Sequence, residues 1–317
     1  MKKHTLMFDS LLTALAPAIW GSTYLITTEL LPPGRPLLAA VLRALPAGLI
    51  LLAIGRKLPA GAWWWRALVL GVLNIGAFFY FLFVAAYHLP GGVAALVMSI
   101  QPMIVLLLGL GLLGERIRPA QVLACLVGAL GIALLVLKPA AKLDSISILA
   151  RLAGASSMAA GIVLTKRWGR PEGVSVLNFT GWQLVVGGAV LVPVAVLSEG
   201  MPPALTDANW LGFAYLGIVG ALFAYMVWFR GIQRLPALTV SFLSFASPLM
   251  AALLGYVFLG QSFSLTQMLG AGAVIAAVVI AQPRRPNKRS HPHQPEAGRR
   301  HAPRLPSSLT NLRRDVS

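Results

Sequence analysis

The sequence predicts an all-α membrane protein of ten transmembrane helices arranged as two inverted five-helix repeats, and three observations carry that prediction. The chain is 57% hydrophobic and only 11% charged over 317 residues, with a mean hydropathy of +0.78, far from the balance of a soluble domain. Apolar runs of roughly 18 to 23 residues recur between Ser10 and Gln282, each long enough to cross about 30 Å of hydrocarbon at 1.5 Å per residue. The chain also matches itself, without gaps, at an offset of 146 residues.

The expected spans are 10–31, 37–54, 67–87, 91–113, 121–137, 146–165, 176–197, 210–232, 237–259 and 265–282. The first follows Lys2 and Lys3. Ala14-Leu15-Ala16 imitates a processing site, but Asp9 interrupts the stretch before it and the apolar run continues to Leu31, so an uncleaved first span is expected. Connections are short and rich in Pro, Gly and charge, as in Leu31-Pro32-Pro33-Gly34-Arg35-Pro36 and Leu89-Pro90-Gly91-Gly92. Trp63, Trp64, Trp65 and Trp210 precede spans three and eight, where amphipathic rings favour the headgroup region. Gly128 and Gly131 in span five and Gly270 and Gly272 in span ten favour close helix packing. The single cysteine, Cys125, has no disulfide partner.

Charge orients the spans. With a cytoplasmic N-terminus, the inside loops hold Lys2, Lys3, Arg56, Lys57, Arg66, Arg116 and Arg118 of the first half, and Lys166, Arg167, Arg170, Arg230 and Arg234 of the second. The outside loops and borders hold Arg35, Lys138, Lys142 and Arg151, so both termini are expected in the cytoplasm and the chain in an inner membrane. The net charge of +17 therefore speaks for topology rather than nucleic acid. Residues 283–317 are rich in Pro, Arg, His and Ser and read as a disordered basic cytoplasmic tail, which either reinforces topology or holds anionic lipid headgroups through Arg284, Arg285, Lys288 and Arg289.

The repeat aligns Leu89-Pro90 with Leu235-Pro236, Pro102 with Pro248, Gly114 with Gly260, Gln121 with Gln267, Gly71 with Gly217 and Trp64 with Trp210. This divides the chain into repeats at 8–137 and 146–282. Five spans is an odd number, so the second copy must enter the membrane inverted and aligned charges should change sides. Arg116 and Arg118 align with Ser262 and Ser264, and Val84 and His88 with Arg230 and Arg234, as inversion requires. Inverted repeats are characteristic of secondary transporters that rock around a midplane site, so the expected partners are a small-molecule substrate and the lipid bilayer, with homo-oligomer formation left open.

The candidate site follows from depth. Pro102 and Pro248 lie about 16 Å into spans four and nine, near the midplane, and each is preceded by polar residues: Ser99 and Gln101, and Ser241, Ser244 and Ser247. Either proline is a kink satisfied by neighbouring helices or an opening of the backbone toward a cavity. Arg43 is the only basic residue well inside a span; it faces substrate, snorkels outward, or pairs with Glu29, and its repeat equivalent is Gln183. Trp20, Tyr24, Asn74, Tyr80, Tyr225 and Trp228 complete a substrate-binding set of Trp20, Tyr24, Arg43, Asn74, Tyr80, Gln101, Pro102, Gln183, Tyr225, Trp228, Ser244 and Pro248. Such walls suit a small amphipathic or aromatic solute.

No Asp or Glu lies at mid-depth, since Asp9, Glu29 and Glu115 are near span ends, so the usual carboxylate proton relay is missing. HExxH, GxxxxGK[ST] and clustered Cys and His ligands are absent, which argues against an enzyme, a metal site, a cofactor or ATP-driven pumping. A non-transporting membrane sensor that kept a transporter fold is the alternative reading.

The pattern resembles the drug/metabolite transporter superfamily, specifically its EamA-type members, over about residues 8–282. The resemblance rests on Trp20-Gly21-Ser22, Arg43, Leu89-Pro90-Gly91-Gly92-Val93-Ala94-Ala95, Pro102 and Gly114-Glu115, repeated as Leu235-Pro236-Ala237, Ser247-Pro248 and Phe258-Leu259-Gly260-Gln261, where many members carry Glu in place of Gln261. Pro32-Pro33-Gly34-Arg35-Pro36, Arg43-Ala44-Leu45-Pro46-Ala47-Gly48 and Leu164-Thr165-Lys166-Arg167-Trp168-Gly169-Arg170-Pro171 are similar to the PecM-like branch, associated with pigment or aromatic metabolite efflux. The resemblance implies ten helices around a central cavity, both termini inside, and export of amino acids or related metabolites.

Overall fold

The computed structural model describes residues 3–86, 95, 97–136, 145–200, 204–260, 262 and 264–282, apart from the side chains of residues 3, 4, 24, 83–86, 145–147 and 259. The motif at 89–94, Gln261, the tail at 283–317 and the side chain of Tyr24 lie outside this set. Every regular element in it is helical. The helices are α1 (Lys3–Gly21), α2 (Thr23–Leu30), α3 (Pro36–Gly55), α4 (Trp63–Gly71), α5 (Ala77–Ala86), α6 (Gln101–Leu113) and α7 (Pro119–Val136), followed by α8 (Ser145–Trp168), α9 (Val176–Glu199), α10 (Asp207–Gly217), α11 (Ala224–Arg234), α12 (Ala237–Leu243), α13 (Ala246–Leu259) and α14 (Leu265–Ile280). Wide π-helical turns at Val72–Gly76 and Ile218–Phe223 join α4 to α5 and α10 to α11.

Eight stretches among the described residues are long and apolar enough to cross a membrane: Thr5–Leu30, Pro36–Gly55, Trp63–Leu82, Pro119–Val136, Ile148–Trp168, Val176–Glu199, Asp207–Arg234 and Ala237–Phe258. Gln101–Leu113 and Leu265–Ile280 are apolar but shorter. Their starts carry the expected chemistry. Pro36 and Pro119 open α3 and α7, where a missing N–H costs nothing. Thr206 with Asn209 and Ser264 with Gln267 form reciprocal capping boxes on α10 and α14. Leu11, Leu126, Leu130, Leu211 and Leu265 are among the large apolar side chains left on the outer surface, as helices facing lipid require.

Several features recur 146 residues apart. The wide turns begin at Val72 and Ile218 (218 − 72 = 146). Left-handed Gly114 and Gly260 (260 − 114 = 146) end α6 and α13, with amides bonded to Gly109 O and Gly255 O (255 − 109 = 146). Packing follows the same scheme. The most extensive pairings are α3 with α9 and α7 with α14, while α1 packs on α11 and α13 as α8 packs on α5 and α6.

Pro102 and Pro248 do not kink continuous helices. The chain breaks in a turn at residues 99–100 and again at 244–245, and each proline stands in the first turn of the next helix, where no intrahelical acceptor loses a partner. Of the packing glycines, a Cβ on Gly131 would lie 2.8 Å from Val274 N and one on Gly270 2.5 Å from Leu135 N, so the α7 and α14 backbones touch there. Gly272 takes no part, with open space around it.

Candidate substrate cavity

One end of the bundle is defined by the end of α2 at Leu30, the start of α3 at Pro36 and the end of α9 at Glu199; the other carries Asp9. A cavity of about 490 Å³ extends from mid-depth toward the Leu30 face. Its deep wall includes Trp20, Arg43, Phe79, Gln101 and Tyr225. Ser244, Ser247 and Pro248 contribute from the break between α12 and α13, and Ile132 and Leu135 from α7. Thr28, Arg151 and Gln267 stand nearest the helix ends. Among the described residues no Asp or Glu lines it.

The wide turn at Ile218–Phe223 anchors two side chains of the deep wall. The amide of Ala224, four residues beyond Gly220 and the ordinary α-helical partner of its carbonyl, bonds instead to Val219 O and Ala221 O. Gly220 O instead accepts the indole N–H of Trp20 at 3.0 Å and an Nη2 hydrogen of Arg43 at 3.0 Å. Arg43 is only 6% exposed, its guanidinium lies 5.2 Å from the Phe79 ring centroid, and its Nε has no hydrogen-bond partner. A central arginine costs about 2.5–3.5 kcal/mol on an insertion scale. A charge-assisted hydrogen bond returns about 1.5–3 kcal/mol and a desolvated ring contact up to about 2 kcal/mol. These contacts offset the burial without neutralising the charge. Pairing with Glu29 does not occur, for Glu29 is exposed and the described ion pairs are those of Asp9.

The first wide turn carries a neutral version of the same device. Ala77 N–H bonds to Val72 O, bypassing Leu73 O, which accepts the Ser157 hydroxyl at 2.8 Å. Asn74 donates to Gln183 Oε1 at 2.8 Å and to Thr165 Oγ1 at 3.3 Å. Asn74 aligns with Gly220 in the 146-residue repeat, and Gln183 is the counterpart of Arg43. Each therefore meets the turn of the opposite half.

The expected site residues thus separate into groups. Trp20, Arg43, Gln101, Tyr225, Ser244 and Pro248 line the cavity. Pro102 is buried in the first turn of α6 beside Gln101, while Trp228 is buried behind Trp20, with ring centroids 5.2 Å apart. Asn74 and Gln183 do not line the cavity; they bond to each other nearer the Asp9 face. Tyr80 is 38% exposed on the outer surface, since one step along a helix from Phe79 turns the side chain by about 100°. Sequence reasoning passed over Phe79, Arg151 and the Gly220 carbonyl; Gly220 had one signal, its place in the repeat opposite Asn74.

Toward the Asp9 face the packing is continuous. Tyr225 stacks on Phe229, which meets Phe179 edge-on. Asp9, 1% exposed, accepts a hydrogen bond from Arg230 at 2.8 Å and lies 3.5 Å from Arg234. Lys166 Nζ donates to Gln233 O and Leu235 O at the end of α11, and Arg167 to Leu112 O at the end of α6. Cations at helix C-termini meet the negative end of the backbone dipole, so these residues, counted above only for topology, also close this face.

A model of the EamA-like transporter family matches residues 7–137 and again residues 145–281. The chain belongs to the EamA-like transporter family. It is 49% identical over 267 residues to protein PecM of Dickeya dadantii, covering 84% of this chain and 90% of PecM, which supports the PecM-like branch. It is 28% identical to YedA of Escherichia coli, named an uncharacterized inner membrane transporter, over 83% of this chain and 86% of YedA. A crystal structure of a protein 23% identical superposes with a TM-score of 0.73 over 86% of this chain and 96% of that one, showing a shared fold. As an EamA-type chain it is a membrane transporter.

Proposed function

We propose that the protein is an inner-membrane secondary transporter that exports small amphipathic or aromatic metabolites or amino acids by alternating access. The observation that carries this reading is a mid-depth cavity reached from one face and backed by continuous aromatic and ionic packing toward the other. Ten spans in two inverted repeats, with both termini cytoplasmic, complete the proposal. Its supports are the recurrence of wide turns and left-handed glycines at 146 residues and the exchange of packing partners between α1 and α8. A two-fold arrangement can open on the other face by exchanging the conformations of its halves. In this topology the cavity faces outward.

The test is counterflow in liposomes containing the purified protein, run over amino acids and aromatic metabolites. Saturable flux is expected for at least one solute, with Trp20→Ala and Arg43→Ala reducing it by an order of magnitude or more. Flux that both variants leave intact would sink the cavity assignment, and no flux for any solute would sink transport itself.

A further inference from the structure

Arg43 is buried at mid-depth, lines the cavity, and meets one neutral carbonyl and one aromatic ring, with no carboxylate among the described residues in contact with it. Its Nε has no hydrogen-bond partner. Gln101, from the first turn of α6, is 2% exposed, lines the same cavity and leaves its Nε2 without a partner. Arg151 stands in the wall nearer the Leu30 face. Among the described residues the cavity wall therefore carries the guanidinium of Arg43 at its floor and no acidic side chain. A cavity with one sign of charge in low-dielectric walls concentrates ions of the opposite sign, and donors left unpaired at its floor mark where such an ion would be held.

From this we infer that the transported solute is an organic anion, its carboxylate or equivalent acidic group held by Arg43 and Gln101 and its apolar body lying against Trp20, Phe79 and Tyr225. This deepens the transport reading, for it names the solute class of the same cavity. The planar guanidinium suits a carboxylate. Trp20 and Tyr225, with ring centroids 4.9 Å apart, supply an apolar surface for a flat or branched body. A cationic amine would meet the like charge of Arg43 and no acid among the described residues, and a neutral amide would leave the charge of Arg43 uncompensated.

The same chemistry could come from the phosphate of a lipid headgroup, so the experiment separates the two sources. The full-length protein is placed in phosphatidylcholine nanodiscs, and binding is read by tryptophan fluorescence and thermal stabilisation. The ligands are indole-3-acetate, indole-3-acetamide and tryptamine, with a set of aliphatic and aromatic monocarboxylates each matched to its amide. At least one carboxylate should bind about tenfold or more tightly than its amide, the difference expected from one charge-assisted hydrogen bond. Tryptamine should not bind. In Arg43→Gln, which keeps a donor for Gly220 O, the carboxylate preference should fall to about twofold or less; Gln101→Leu should weaken it further from the wild type than it weakens amide binding.

Equal binding of carboxylates and amides by the wild type overturns the inference whether or not any variant folds. So does the absence of binding by every carboxylate, or an undiminished preference in folded Arg43→Gln. Loss of the carboxylate signal when phosphatidylglycerol is added assigns the site to lipid and overturns it too. Flux of neutral or cationic solutes without carboxylate binding would defeat this inference and leave transport standing. Carboxylate binding without flux of any solute would leave the anion site standing and defeat transport.

Discussion

Replacing Gly270 by alanine adds a single methyl group at the crossing of α7 and α14. That Cβ would lie 2.5 Å from Leu135 N, 2.7 Å from Gly131 O and 2.9 Å from the carbonyl carbon of Leu134, all backbone atoms that no rotamer change can move aside. Ordinary van der Waals contact is 3.4–4 Å, so the helices must part by about 1 Å along one of the two most extensive interfaces in the bundle. Overpacking of this kind costs roughly 1–3 kcal/mol, and the upper half of that range is expected because the obstruction is main chain. Gly272→Ala is the internal control. It lies two residues along the same helix with nothing within 4 Å, so the methyl should be neutral or stabilise by up to about 1 kcal/mol through helix propensity. Thermal unfolding of both purified variants in one detergent, followed by tryptophan fluorescence, should show Gly270→Ala clearly below wild type and Gly272→Ala at or above it. A Gly270→Ala protein as stable as wild type, or a Gly272→Ala protein equally damaged, would refute the close crossing.

Two other perturbations probe the ends of the bundle. Asp9→Asn removes a buried carboxylate from Arg230 and Arg234; these are 24% and 53% exposed, so solvent screening limits the loss to roughly 1–2 kcal/mol. In a Cys125→Ala, Thr13→Cys background, the substitution should speed labelling by a membrane-impermeant maleimide applied from the Asp9 face several-fold, and an unchanged rate would show that the pair does not hold that face shut. Glu199 accepts from Leu37 N at 2.6 Å and from Leu38 N at 2.9 Å, so its carboxylate caps α3 from the end of α9. Glu199→Gln turns one acceptor into a donor and should lower stability by about 1–2 kcal/mol, seen as a lower melting temperature; no shift would mean the cap is immaterial.

The spans were legible because a membrane demands long apolar helices, and the ends observed for α3, α7, α9 and α12–α13 fall within three residues of those expected. Facing was less legible. Ala77-Phe78-Phe79-Tyr80-Phe81-Leu82 is apolar all round, and lipid imposes no polar stripe, so nothing in the run separates Phe78, Phe79 and Leu82 in the cavity wall from Tyr80 outside it. Position near a span end likewise gave no sign that Asp9 would be buried, since Arg230 and Arg234 approach it from a helix more than 200 residues away. The Gly220 carbonyl was least legible of all. It is a backbone group, exposed by a turn whose hydrogen bonds skip it, and glycine advertises no side-chain chemistry.

The two wide turns also show why the two halves do not do the same work. Each leaves one carbonyl outside the ordinary helical ladder, and each is met by a side chain from the opposite half: Ser157 at Leu73 O, Trp20 and Arg43 at Gly220 O. At the first turn the neighbouring groups are neutral: Asn74 donates to Gln183 and Thr165, while its Oδ1 has no hydrogen-bond partner and is packed so tightly that a Cβ on Gly161 would fall 2.1 Å from it. That arrangement is dense and polar but uncharged, which suits a rigid join between helices. At the second turn the same backbone feature holds a cation whose charge no described group neutralises, at the floor of a cavity rather than in a packed layer. Stability alone would favour repeating the neutral solution, because an uncompensated charge at this depth is costly. Keeping Arg43 where Gln183 shows that an amide would serve is the departure from symmetry that points to recognition rather than architecture.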